Sequence, residues 1–599
     1  MEVAWMVENA SLSGSLMNHY GLFLPTLDMQ AGDEQRKWWS MKARKCEIVG
    51  CYAQTELGHG SNVRGLMTTA VFDKNTQEFI LDTPTLRAMK WWPGTLGKIA
   101  THAIVYAQMI IDGKEYGVHA FMMQIRDENH KPLPGIELGD LGPKLGDHAN
   151  DTGYMRLNNV RIPREFLLNR YQDVTPQGEY VVSESKKKNA RLHYATMMFT
   201  RGSMVKSSGG FLAKAATIAA RYGCVRVQGF VDHKKGKSYK APEKQIIDYG
   251  MQRYRIFKQI AMAYCIKFTG TWMLNRFKDI EGENRALKGL DDLPEIAATS
   301  SGLKALCTFF AWQGIEDCRK CCGGNGYLLV SGVAQMAADY AWQTTAEGDF
   351  IILTLQTAQF LLKSIQNAVT GKRLGDVVAY LAPLKDAANF NLAKLAPPQS
   401  KSHEDFFNLD YLLQLYRYSA LSAVVNVSQE FQQKLGDLEG KFDDALNACA
   451  IELCNAVRSH TFVFMLTNFA AGIAAIEDKS CKQVLQQLAA FWACCNIIDD
   501  GQWIGILSNT QMRHVKTATT KLLDSLRPNA IALTDAFDFP DNVLNSAIGK
   551  YDGNVYEALY DFARKSPLNQ TEVFEGYSEV LRPYLDVEFL KNGNRKPKL

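Results

Sequence analysis

Four stretches of this 599-residue chain combine residue types that bind flat polar molecules or move protons. In CYAQTELGHGSN, Cys51 to Asn62, two glycines, a histidine, an acid and several hydroxyl or amide side chains follow a hydrophobic lead-in. Gly58 and Gly60 suit a plain turn. The alternative is a ligand loop, in which backbone N–H groups and the Thr55 and Ser61 hydroxyls bond a planar polar molecule. In KWWPGTLG, from Lys90, paired tryptophans suit a core, while Pro93-Gly94 beside them lets backbone approach a flat ring closely. In CCGGNGY, Cys321 to Tyr327, Gly323 and Gly324 suit a helix C-cap and Asn325-Gly326 a turn. The same glycines would also let backbone pass a cofactor. In TTAEGDFIILTLQTAQFLLK, Thr344 and Glu347 have capping-box spacing ahead of an apolar helix, so the residues alone make Glu347 a cap.

These stretches must be held by regular elements. From about Gly50 to Arg164 the pattern is β. HAIVYAQMII, then Asp112-Gly113, then YGVHAFMMQIR predicts a hairpin, because Asp-Gly supplies the positive φ values of a tight turn. TTAVF and EFIL, joined through Asp73 to Gln77, predict a second hairpin. After about Lys188 apolar residues recur at spacings of three and four over lengths that only helices reach. Pro397-Pro398 and the polar residues around them break that pattern, and helices resume beyond. The expected units are a helical start at residues 1–49, a β domain at 50–187, a helical domain at 188–390 and a second helical domain at 391–599.

Composition narrows the class. Apolar residues make up 46% and charged residues 22%, near the average for soluble globular chains. A formal net charge of +4, from 67 basic and 63 acidic residues, gives no nucleic-acid signature. The longest apolar run, Thr461 to Ile476, is shorter than the roughly 20 residues of a membrane span and reads as a buried helix. Thirteen scattered cysteines lack the spacing of a disulfide scaffold. CRKCC, Cys318 to Cys322, has no second cysteine pair or histidines at metal-ligand spacing, so buried thiols are expected there. The N-terminus carries Glu2 and Glu8 and no basic stretch before an apolar core, so no export signal is expected. The ending Pro597-Lys598-Leu599 is similar to the Ser-Lys-Leu peroxisomal address, with Pro597 as the departure.

In order along the chain, CYAQTELGHG, KWWPG, HKPLPGI, CCGGNGY, RPNAIALTDAFDF and YDGNVYEALYDFARKSPLN resemble the peroxisomal acyl-CoA oxidases, flavoproteins of the acyl-CoA dehydrogenase superfamily. The resemblance implies an α+β multidomain fold with a helical segment, a central β-barrel, a helical bundle and a second C-terminal helical domain. It implies that the Thr55 loop holds FAD, with Thr55, Ser61 and Gly94 as contacts. Arg226 and Gln228 are implied to reach the FAD of a partner subunit, with Gly323 and Gly324 in the same cofactor wall. Glu347 is implied to be the catalytic base, which reverses its reading as a cap. The implied reaction turns a fatty acyl-CoA into the trans-2-enoyl-CoA, with molecular oxygen reduced to hydrogen peroxide, in a peroxisomal homodimer or heterodimer.

Two departures from the family pattern stand out. The segment before Gly50 is shorter than the family's N-terminal helical domain, which suggests that most of that domain is lacking. Asp349 is followed by Phe350 where the family carries asparagine, so altered cofactor affinity or substrate range is expected. An acyl-CoA dehydrogenase using an electron-transfer flavoprotein, and a silent subunit regulating a related oxidase, are the alternatives. Lys186 to Lys188 and the run from His233 to Lys237 read as solvated loops.

Overall fold

The computed structural model describes residues 16–183, 195–232, 240–284, 292–386 and 395–591. The Pro597-Lys598-Leu599 tail, Lys186 to Lys188 and the His233 to Lys237 run lie outside them.

Short helical turns between Leu16 and Arg44 lead into strand β1, Gly50–Ala53. Strands β2 (Thr69–Asp73) and β3 (Glu78–Asp82) form the first hairpin, and β4 is the two-residue Lys90–Trp91. The longest strands, β5 (His102–Ile111) and β6 (Lys114–Gln124), pair antiparallel around Asp112 and Gly113, whose φ values are 51° and 73°. Both expected hairpins are therefore present. β1 pairs parallel with the first half of β5, and β2 pairs parallel with its second half. Strand β7 (Ile136–Asp140) joins β8 (Gly153–Leu157) and β4 in a second sheet, while β9 (Val160–Pro163) extends the first beside β3.

Alternation along β5 explains how this domain is sandwiched. Ala103, Val105, Ala107 and Met109 face a core shared with Phe79 and Leu81 of β3 and Met155 and Leu157 of β8. The two sheets thus curl around one interior. Ile104 and Tyr106 face the other way, against Phe23, Leu27 and Trp39 of the N-terminal turns. The period of two in side-chain direction produces both faces from one strand.

The helical part begins with three long helices, α1 (Ala195–Val225), α2 (Gly250–Asn284) and α3 (Leu293–Cys321). Small residues on α1, including Ala213, Ala216 and Ala220, are buried completely and let its neighbours approach closely. Helix α4 (Val333–Tyr340) and helix α5 (Phe350–Val369) follow. After the proline break come α6 (Leu409–Asp437), α7 (Ala450–Ala474), α8 (Lys479–Asp499), α9 (Asn509–Leu526) and, near the end, α10 (Val555–Arg564). The apolar run Thr461 to Ile476 falls mostly in α7, whose Phe462, Met465, Leu466 and Phe469 are buried. One apolar cluster takes side chains from α1, α2 and α3 and also from α7, α8 and α9, so both helical segments share a core. Cys318, Cys321 and Cys322 are buried free thiols inside it. No helix among the described residues is long and apolar enough to cross a membrane.

Candidate active site

A cleft of ≈ 3460 Å³ runs between the β domain and the helices, and Thr55, Ser61, Gly94 and Glu347 all line it. The Thr55 loop leaves β1 and is tied to the strand before the Trp-Trp pair. Trp91 N–H donates to Thr55 O at 2.9 Å, and Leu57 N–H donates to Met89 O at 2.8 Å. Thr55 is half-buried and Ser61 exposed, which leaves both hydroxyls at the cleft wall. Trp92 is no core residue: it is 58% exposed, has a φ of 86° and lines the cleft, whereas Trp91 stacks on Tyr154. Gly94 is buried, and a Cβ there would run into Asn18 and Asn150.

Glu347 approaches the same cleft from the helical side. Its φ is 59° and that of Gly348 is 111°, so a left-handed turn precedes α5. A side chain at Gly348 would also strike Leu353. The capping reading of Glu347 fails here: the N-cap of α5 is Asp349, whose carboxylate accepts from Ile351 and Ile352 N–H. Thr344 instead donates its hydroxyl to Ala341 O at 3.0 Å. Because the helix starts later than the spacing suggests, the Glu347 carboxylate is released from capping and turned to the cleft.

Two cations hold that turn by its carbonyls. Arg201 Nε donates to Glu347 O at 3.2 Å and its Nη1 to Ser301 Oγ at 2.9 Å. Lys304 Nζ donates to Gly348 O at 2.7 Å. Glu347 Oε2 is buried and has no hydrogen-bond partner among the described residues. Burial pushes the Glu347 carboxyl above its ordinary value, and the charges of Arg201 and Lys304 oppose that rise. Burial in turn brings the Lys304 ammonium down to about 8, against the attraction of Glu347. Across the cleft lie Tyr52 and Tyr106, with ring centroids 4.9 Å apart. Burial raises the Tyr106 hydroxyl to about 12, and the negative charge of Glu347 adds to the effect.

Phe350 does not stand at the cleft wall. It stacks on Phe309 with centroids 4.7 Å apart, at the edge of a cluster beneath α5. The first turn of α5 directs Asp349, Ile352 and Leu353 toward the cleft and leaves Phe350 on the packed side.

The other four expected cofactor residues form a separate surface. Arg226 follows the end of α1, and its Nη2 donates to Gln228 Oε1 at 3.1 Å. Gly323 and Gly324 are exposed just past α3, and Gly323 has the left-handed φ of 58° that stops the helix. Asn325 Nδ2 donates to Tyr222 OH at 3.0 Å, joining the glycine turn to the end of α1. None of the four lines the cleft.

Family models cover this chain almost end to end. They match the acyl-coenzyme A oxidase N-terminal domain at residues 2–49, the acyl-CoA dehydrogenase middle domain at 51–160, the acyl-CoA oxidase C-alpha1 domain at 194–362 and acyl-CoA oxidase at 408–586. The chain is 40% identical over 572 residues to peroxisomal acyl-coenzyme A oxidase 1 of Rattus norvegicus, covering 94% of this chain and 84% of that one. The chain belongs to the acyl-CoA oxidase family. A protein of the same name from Arabidopsis thaliana is 40% identical over 584 residues, covering 95% of this chain and 83% of its own. Among solved structures, Arabidopsis thaliana acyl-CoA oxidase 1 superposes with a TM-score of 0.89 at 38% identity, covering 96% and 85% of the two chains. Acyl-CoA oxidase-2 of Caenorhabditis elegans, solved with FAD, ascaroside-CoA and ATP, gives 0.89 at 36% identity over 99% and 86%. The N-terminal match places the helical turns before Gly50 within an oxidase domain.

For an acyl-CoA oxidase, the residues that sequence reasoning passed over are Arg201, Lys304, Tyr52 and Tyr106. The first two carried a signal. Each is a single cation in an otherwise apolar or small-residue helical run, MMFTRGSM and SSGLKALCTFF, and a charge there needs a buried partner.

Proposed function

We propose that the chain oxidises a fatty acyl-CoA to the trans-2-enoyl-CoA in the peroxisome, with FAD in the cleft and molecular oxygen reduced to hydrogen peroxide. The observation that carries this reading is the buried, unpartnered Glu347 Oε2 at the wall of a large cleft. Pockets for a single small ligand are typically about 300–1,000 Å³. A cleft several times larger suits a dinucleotide and a CoA thioester together.

The residues present fit FAD. The Thr55 and Ser61 hydroxyls offer hydrogen bonds to a flat polar ring or its phosphates. Gly94, where any Cβ would collide, keeps the wall thin beside exposed Trp92. Bound there, FAD supplies the acceptor for a hydride from the carbon β to the thioester and passes the electrons to oxygen. The protein's own step is proton removal. Glu347 takes the proton from the carbon next to the thioester, and its raised pKa makes it the stronger base for that task. Arg201 and Lys304 oppose that rise and fix the backbone of the Glu347-Gly348 turn. Tyr52, Tyr106 and the N-terminal turns behind them keep water out of the opposite wall.

Arg226, Gln228, Gly323 and Gly324 support a second copy. Arg201 and Arg226 lie at opposite ends of α1, about 37 Å apart at 1.5 Å per residue. A cofactor touching Glu347 of one chain is therefore served by the Arg226 surface of another, so we read the working unit as a dimer.

The test is the visible spectrum of the purified protein before and after acyl-CoA is added without oxygen. Bleaching of a bound flavin, followed by hydrogen peroxide on admitting oxygen, is the expected result. A flavin that bleaches but yields no peroxide would favour a dehydrogenase, and a protein that never takes up FAD would sink the reading.

A further inference from the structure

Beneath the Thr55 loop lies a pair of charges that the proton transfer does not use. Glu56 and Lys90 have 0% side-chain exposure, and Lys90 Nζ stands 3.0 Å from Glu56 Oε1. The same ammonium donates to Gln54 O at 3.1 Å and Tyr106 O at 2.7 Å. Glu56 Oε1 also accepts from Thr68 N–H at 2.8 Å and the Thr68 hydroxyl at 2.6 Å, and Oε2 accepts from Met67 N–H at 2.8 Å. The Lys90 ammonium and the Thr68 and Met67 N–H groups can only donate, which favours the ionised carboxylate, while the Thr68 hydroxyl lies between Glu56 Oε1 and Ala88 O, 3.0 Å away. Burial would push Glu56 up, but Lys90 and the Thr68 and Met67 donors together hold it below its ordinary value.

Stability does not explain such a pair. Two apolar side chains of similar volume are often as stabilising as a buried ion pair, or more so, whereas removing one partner alone is strongly destabilising. Its reach offers a better explanation. Gln54 O and Glu56 flank Thr55, Lys90 sits four residues ahead of Gly94, and Tyr106 belongs to β5 across the cleft floor. His59 Nδ1 lies 3.1 Å from Glu56 Oε2. With the carboxylate accepting, Nδ1 carries the proton, and Nε2 is left to the cleft that His59 lines.

We propose that Glu56 and Lys90 are positioning residues for the cofactor. The buried pair clamps the Thr55 segment to the strand that leads to Gly94 and to β5, and it fixes the His59 ring at the cleft wall. This rests on FAD occupying the cleft as read above. Because both side chains are fully buried, the pair acts on the cofactor through Thr55, Gly94 and His59, so its loss alters cofactor binding and the hydride step before it alters capture of the acyl-CoA.

Three variants test this: Lys90→Met, Thr68→Val, and Glu56→Gln combined with Lys90→Met. FAD affinity is measured by flavin fluorescence on protein stripped of cofactor, together with the shape of the visible flavin band, kcat, and KM for one acyl-CoA. Lys90→Met should weaken FAD binding by about tenfold or more, change the band shape and lower kcat, with KM within about twofold of the parent. Thr68→Val removes the hydroxyl that links Glu56 Oε1 to Ala88 O, ahead of Lys90, and should shift FAD affinity the same way by a few-fold. The double variant leaves no unpaired charge, so its melting temperature should recover relative to Lys90→Met, while FAD binding stays weak because Gln54 O and Tyr106 O still lack their donor. Recovery of FAD affinity and band shape together with melting temperature would show a merely structural pair and overturn the proposal. FAD affinity in Thr68→Val equal to the parent's would overturn it too, and both results stand even if Lys90→Met alone fails to fold. Failure of the parent protein itself to bind FAD would instead refute the functional reading.

Discussion

At the scale of single residues, the site turns on one carboxylate whose backbone is held by two cations. Glu347→Gln keeps the shape of the side chain and removes the base. Flavin should remain bound, and bleaching by acyl-CoA should slow by about 100- to 10,000-fold; stopped-flow absorbance under anaerobic conditions checks this. Lys304→Met removes a nearby positive charge that favours ionised Glu347, so the carboxyl should titrate higher still. The acid limb of the kcat/KM profile should then move to higher pH, with lower activity near neutrality. An acid limb that stays in place would show that Lys304 does not act on Glu347. Glu347 was legible only through resemblance, because the residues by themselves favoured a cap. Arg201 and Lys304 were not legible as the cations of its turn, since they come from α1 and α3, many residues away. Local patterns show that a helix carries a lone charge, but not which distant turn it faces.

Elements were the more readable level. Asp112-Gly113 and the β-rich runs around it fixed the longest hairpin, because positive φ at both turn residues is a local demand. The helical character of the chain after Lys188 followed from apolar spacing. The second sheet escaped notice because β4 has two residues and β7 includes Gly139, so neither gives an alternating run. The start of α5 was misplaced because Thr344 and Glu347 have capping-box spacing by themselves, whereas the left-handed turn at Glu347 and Gly348 passes the cap to Asp349. Asp349→Ala should therefore cost about 1 kcal/mol, the usual loss for an N-cap, and also loosen the turn that aims Glu347. The expected readout is a melting temperature lower by about one degree together with reduced kcat. An unchanged melting temperature alongside full activity would place the cap elsewhere.

For the whole molecule, buried histidines set how it responds to acid. His460 lies inside the core shared by the helical segments, with Nδ1 3.0 Å from Tyr380 OH, and burial lowers its pKa to about 4. His102, at the start of β5, is also lowered to about 4, by burial first and by Lys42 second. His19 is lowered by burial, although its bond to Ala43 O opposes this; Nδ1 accepts from Gly50 N–H and so joins the N-terminal turns to β1. Each folded value lies below the ordinary 6.5, so the unfolded chain binds protons that the folded chain refuses. The stability these groups contribute is complete above about pH 6.5 and is lost as pH falls toward the folded values, by about 1.4 kcal/mol per unit for each fully titrating histidine. From pH 6.5 to 4, His102 and His460 together remove about 5 kcal/mol, a large share of a typical folding free energy. Glu56, held below its ordinary value, acts in a lower window, whereas Glu347 and Glu295, raised by burial, take up protons in the folded chain and offset part of the loss. Urea unfolding midpoints between pH 7.5 and 4.5 should fall steeply below about 6.5. His460→Asn offers Tyr380 an amide but cannot take a proton, so its midpoint should fall less steeply than the parent's over the same interval. Parallel slopes for the two proteins would show that folding does not change the proton affinity of His460 and that the acid response arises elsewhere.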